Sequence, residues 1–173
     1  ALSGIRRAIS DTNSDQPFLR ISDDFVRVNS NSDISVDSLV FDQIFEQTSE
    51  HRHVRIDSCT SCVHAISKLV ELYQGEFLGE YLLMNTQAFQ EWVLFQREHY
   101  FRRLLATIHV LIRYYEEIGE IKIALDYAYK QASLAHLEEN AHRQVMRLLA
   151  LDGRRSAAME QYQTCCRILS EEL

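Results

Sequence analysis

Apolar residues change their spacing twice along this chain, and each change marks a new piece of architecture. In residues 1–9, Leu2, Ile5 and Ile9 recur at helical spacing while Arg6 and Arg7 turn away from them, as in the tail of a helix. Residues 18–22 and 25–29 then alternate apolar and other side chains around Asp23 and Asp24, the pattern of a β-hairpin with a tight turn. From Asp33 onward the period becomes 3.6. Asp37 is placed to cap a helix whose Val40, Phe41, Ile44 and Phe45 share one side. A second helix, opening at Asp57, carries Val63, Ile66, Leu69, Val70 and Tyr73, with Gly75 where a helix commonly ends. Residues 76–85 lose the period but keep Phe77, Leu78, Tyr81, Leu82, Leu83 and Met84, so this loop is expected to pack down.

Thr86 opens a segment reaching Ile118 with neither proline nor glycine. Its stripe is Phe89, Trp92, Val93, Tyr100, Leu104, Ile108, Leu111, Tyr115 and Ile118. Unbroken, such a helix is about 50 Å long. Shorter amphipathic helices follow over 121–134, 138–151 and 155–169. Gly119 and Gly153 stand 34 residues apart, each followed five residues later by an alanine, Ala124 and Ala158. That is the tetratricopeptide period, in which glycine closes the turn between antiparallel helices and a small residue lets them approach. The repeats are degenerate, with His136 where a proline usually separates units, and an ordinary bundle with coincidental spacing is the alternative. The expected fold is mainly α, with tetratricopeptide-like antiparallel helical repeats and a short N-terminal β-hairpin.

Composition agrees with a helical chain. One proline and five glycines in 173 residues leave too little turn punctuation for an all-β fold. No run of about 18 apolar residues and no charged-then-apolar leader occurs, so the chain is expected to be soluble, cytoplasmic and free of any membrane contact. It opens on Ala1 rather than methionine, and the expectation is a piece of a longer protein. Residues 1–32 balance four arginines against four aspartates, so the remainder, with 14 basic and 21 acidic residues, holds the whole net charge of −7. A surface that neutralises phosphates needs the opposite excess, so the helical part is not expected to grip nucleic acid unaided.

Further along, the residues carry a resemblance. Residues 72–78 (LYQGEFL), 89–92 (FQEW), 96–98 (QRE), 115–119 (YEEIG), 139–143 (ENAHR), 148–153 (LLALDG) and 161–162 with 167–173 (QY, RILSEEL) resemble the bacterial transcriptional activator domain of antibiotic-regulatory proteins and larger activators, in order and in spacing. Upstream, residues 5–11 resemble the end of the recognition helix in an OmpR-like winged helix, and 18–29 resemble its wing; Gly4 stands where that helix usually has a side chain. The resemblance implies a C-terminal winged-helix remnant over 1–33 and an activator domain over 34–173. It further implies a DNA-binding regulator that binds DNA through the mostly absent winged helix. Its helical domain would relay to RNA polymerase, to another domain of the same chain or to a second protomer. Arg6 and Arg7 are the candidate phosphate contacts of the intact protein.

Catalysis finds no nucleophile motif, phosphate-binding glycine loop or paired carboxylates, and no cofactor is expected. Cys59 and Cys62, with His51 and His53 upstream and His64 after, have the residue types and spacing that zinc accepts. Cys62 falls near the apolar stripe of its helix and the resembled family uses no metal there, so cytosolic thiols in a domain that folds without metal are the expectation. Cys165 and Cys166 are adjacent and face different ways on a helix. A partner surface comes from the repeat register, which selects Ala106, His109, Arg113 and Glu116 in one unit and Asn140, Arg143, Arg147 and Ala150 in the next. Of these, His109, Arg113, Asn140, Arg143 and Arg147 are the candidate partner-binding residues. The arginine fork suits carboxylates, so an acidic peptide or an acidic domain segment is the matching ligand. The plainer alternative assigns these arginines to salt bridges within the repeats. A generic tetratricopeptide adaptor without a DNA-linked role, and a zinc- or thiol-dependent sensor, are the competing functions.

Overall fold

Seven helices and one hairpin form among the described residues of the computed structural model, which are 2–11, 16–29, 31–51, 59–79 and 86–172. They are α1 (Leu2–Ala8), β1 (Leu19–Ile21), β2 (Val26–Val28), α2 (Asp37–Glu50), α3 (Thr60–Leu72), α4 (Gln87–Glu117), α5 (Ile121–Leu134), α6 (Glu139–Leu151) and α7 (Arg155–Glu172). The chain is thus mainly α, with tetratricopeptide-like antiparallel helices and a small hairpin. It divides into two compact units, Ala1–Val40 and Phe41–Leu173.

In the first unit, β1 and β2 are antiparallel with Leu19 opposite Val28 and Ile21 opposite Val26. The Ser22 N–H donates to the Phe25 carbonyl at 3.0 Å, which leaves Asp23 and Asp24 as the turn. An isolated two-stranded ribbon is marginal in water, and polar clamps tie this one down. The buried Asp11 carboxylate accepts from Arg6 Nε at 3.1 Å and from the Phe18 N–H. Buried Asn29 donates from Nδ2 to the Pro17 carbonyl at 2.7 Å.

The second unit stacks its helices in chain order, α3 on α4, α4 on α5, α5 on α6 and α6 on α7. Leu69, Leu104, Ile108, Leu111, Ile112, Val145, Leu148 and Leu149 are fully buried in one continuous core. Small residues permit the close approach, with Ala124 and Ala128 wholly buried on α5. Buried side chains of this size contribute about 1.5–3 kcal/mol each, so the stripe, not helix propensity, holds the stack together.

The two glycine turns are superimposable in their hydrogen bonding. Gly119 (φ 80°) donates to the Glu116 carbonyl at 3.1 Å and Glu120 to that of Tyr115 at 2.8 Å. Gly153 (φ 78°) donates to Ala150 at 3.1 Å and Arg154 to Leu149 at 2.8 Å. Both are Schellman closures, which require a left-handed residue at that step.

Several boundaries differ from the sequence reading. Asp37 is the first helical residue of α2, its carboxylate accepting from the Ser38 N–H at 2.7 Å, while the Val36 carbonyl takes the first helical bond. Helix α3 begins at Thr60 with Cys59 in the capping position; Asp57 lies outside the described residues. Helix α7 runs on to Glu172 because nothing in residues 170–172 breaks it. Trp92 on α4 and Ile118, which caps its C-terminal end, are about half exposed and lie off the core. Trp92 instead meets Phe77 edge-on and stacks on Phe89. The loop after α3 is pinned as expected over 76–79: Arg97 donates to the carbonyls of Phe77 (2.9 Å) and Leu78 (3.0 Å) and pairs with Glu76 at 3.1 Å. Tyr81, Leu82, Leu83 and Met84 lie outside the described residues.

Candidate functional site

A helix whose inner stripe is apolar shows its other face to water, and α4 and α6 do so one repeat apart. Ala106, His109 and Arg113 on α4 are exposed, as are Asn140, Arg143, Arg147 and Ala150 on α6; Glu116 is half-buried. The 34-residue register therefore pairs His109 with Arg143 and Arg113 with Arg147 on neighbouring helices.

Between these helices lies a cavity of about 700 Å³ lined by His109, Gln131, Glu138, Asn140, Ala141, Arg143, Gln144 and Arg147. That volume is within the range of ligand pockets, about 300–1,000 Å³. Four of the five candidate residues, His109, Asn140, Arg143 and Arg147, stand on its wall. Arg113 does not line it; it lies close enough to Glu116 to help hold that carboxyl below its ordinary value. Gln131 and Gln144, which the repeat register does not select, add amide donors and acceptors. Gln131 comes from α5, and only packing of α5 between α4 and α6 brings it here.

Arg147 binds both oxygens of Glu116 in a bidentate fork across α4 and α6. This hydrogen bonding, more than simple charge attraction, lowers the Glu116 carboxyl and raises Arg147. Arg143 stands 4.0 Å from Glu139, one turn back on α6, with both side chains about two-thirds exposed. Such a contact contributes little, so the Arg143 guanidinium is available to a partner at small cost. Both arginines thus have a salt-bridge partner within the repeats, Arg147 across the helices and Arg143 along α6, the Arg143 contact being the longer and more exposed of the two.

Underneath, His142 fixes the α6 face. It is buried, with Nε2 2.8 Å from the His136 carbonyl and Nδ1 2.7 Å from Gln161 Nε2. The carbonyl requires Nε2–H, so Nδ1 accepts from the Gln161 amide and the ring ties α6 to α7 and to the preceding loop. The histidine lies within the 139–143 motif, but its partners, 6 and 19 residues away, leave no periodic signal in the sequence.

In the first unit, Arg6 spends Nε on Asp11, whereas Arg7 is exposed. Among the described residues no helix is long and apolar enough to cross a membrane. Cys165 is buried and Cys166 exposed, as their adjacency implies.

The sequence profile described as the bacterial transcriptional activator domain matches residues 36–173. No curated protein and no solved structure matches the chain.

Proposed function

The chain belongs to the bacterial transcriptional activator domain family, and from that premise we propose that its helical unit regulates transcription by docking an acidic protein segment in the α4–α5–α6 cavity. The segment comes from RNA polymerase, from another domain of the same chain or from a second protomer. The unit is a cytoplasmic interaction domain and not a catalyst. Residues 1–33 are the end of a winged helix, and the intact protein binds DNA through the rest of it, with Arg7 and, secondarily, Arg6 at phosphates.

The observation that carries the reading is the cavity wall. A chain of net charge −7 places His109, Arg143 and Arg147 around one concavity, together with the amides of Gln131, Asn140 and Gln144. Carboxylates pair with guanidinium forks, and side-chain amides pair with an extended peptide backbone. Glu138 on the same wall disfavours an acidic group at that end, which gives the docked segment a direction.

The test is a fluorescence-anisotropy titration of the chain with labelled peptides rich in Asp and Glu, rich in Lys and Arg, or uncharged. Selective binding of the acidic peptide, weakened by salt and lost in Arg143→Ala/Arg147→Ala, is the expected result. Equal binding of all three, or of none, contradicts the reading.

A further inference from the structure

Far from the cavity in sequence, the end of α2 and the start of α3 bring three metal-ligating side chains together. His51 follows the last turn of α2, its N–H bonded to the Gln47 carbonyl at 3.2 Å. Cys59 caps α3, and Cys62 lies one turn into it, buried on the apolar stripe. His51 Nδ1 is 3.0 Å from Cys62 Sγ and 3.6 Å from Cys59 Sγ, and all three ligand atoms lie within 4.8 Å of one another. His64 is not part of the group, and His53 lies outside the described residues.

We propose that His51, Cys59 and Cys62 form a binding site for a thiophilic divalent cation of the zinc type, the described residues supplying three of its ligands. Tetrahedral zinc holds sulfur at about 2.3 Å and imidazole nitrogen at about 2.0–2.1 Å, which puts N and S ligands about 3.6 Å apart. The His51–Cys59 spacing already has that value, and the His51–Cys62 spacing has to open by about half an ångström to reach it. The chemistry of the ligands agrees with the geometry. Ser61 Oγ, 3.2 Å from Cys59 Sγ, and the Cys62 N–H draw the Cys59 thiol below its ordinary value, and the N-terminal end of α3 favours the thiolate. On binding, both sulfurs coordinate as thiolates and their protons are released to solvent. The buried core around Leu69 and Val70 stands without the site, so the cation adds a clasp between α2 and α3 and is not a condition of folding.

Cobalt(II) titration of the reduced, metal-free chain tests this, because tetrahedral cobalt thiolates have strong visible d–d bands and a near-ultraviolet thiolate-to-metal charge-transfer band. The expected result is saturation at one cobalt per chain, bleaching on addition of zinc, and a rise in Tm with zinc. Cys59→Ser and Cys62→Ser each lose the charge-transfer intensity, and His51→Ala shifts the bands and weakens binding at least tenfold. A Cys165→Ser/Cys166→Ser variant retains the full spectrum. Circular dichroism of each variant shows that the helices persist, as a metal-independent core requires. Absence of cobalt bands in the folded wild-type chain, or a spectrum that follows Cys165 and Cys166, overturns the proposal. So does a Cys59–Cys62 pair that binds no cobalt after full reduction.

Discussion

Gly119 and Gly153 show how much one residue decides here. Each ends a helix at a φ near +80°, and a Cβ built on either meets no atom within 4 Å. Substitution by alanine therefore strains the backbone alone. Gly119→Ala and Gly153→Ala are each expected to cost about 1 kcal/mol, read as a fall of roughly 2–4 °C in Tm by calorimetry. A neutral result places the turn elsewhere. Glu116 gives a different test. Its carboxyl is held below the ordinary 4.5, first by the hydrogen bond from Arg147. A depressed carboxyl contributes stability that is fully present above its unfolded value and is lost as pH falls through the folded one. Glu116→Gln is accordingly expected to be less stable than wild type at neutral pH by at most about 1 kcal/mol, since both partners are partly exposed. The gap closes below pH 4.5 in urea titrations repeated across the acid range. A gap independent of pH contradicts the assigned role. Both glycines were legible from their 34-residue spacing. The Arg147–Glu116 fork was not, because i and i+31 neighbours have no signature in a single sequence.

At the scale of elements, the sequence showed most where a stripe is long and apolar. Helix α5 begins and ends where its periodicity says, and α4 and α6 begin and end within a residue of it. Termini that depend on polar chemistry were less legible, since an aspartate serves equally as a cap or as a first-turn residue, and Asp37 takes the second role. The half-exposed Trp92 escaped the pattern for a related reason: an aromatic at helical spacing is satisfied by neighbouring rings as well as by a core. Long-range polar fasteners were invisible. Arg103 pairs with Asp42 at 2.6 Å and lies over the Phe45 ring, and Lys130 donates to the Val70 carbonyl at 3.0 Å at the end of α3. These bonds join elements about 60 residues apart, and periodicity carries no record of them. The candidate wall was half legible. Its α4 and α6 residues follow from the repeat register, while Gln131 depends on where α5 lies.

At the scale of the whole molecule, the charge is unevenly distributed along the chain. The acidic excess lies in the helical part, and the arginines near the hairpin are balanced by aspartates. The 173-residue chain is therefore expected to show no sequence-selective DNA affinity in gel-shift titrations, and tight, salt-sensitive, selective retention contradicts that. The proposed docking role makes activation depend on the cavity, and the most direct measurement compares two variants in the intact regulator with a promoter-driven reporter. Arg143→Ala/Arg147→Ala removes the cations of the wall, whereas Glu116→Gln breaks the same α4–α6 salt bridge and leaves both cations in place. The account predicts that the double variant loses activation while DNA binding is retained and Tm falls only slightly, and that Glu116→Gln activates like wild type. Activation that persists in the double variant, or that fails equally in both, contradicts a docking role for this cavity.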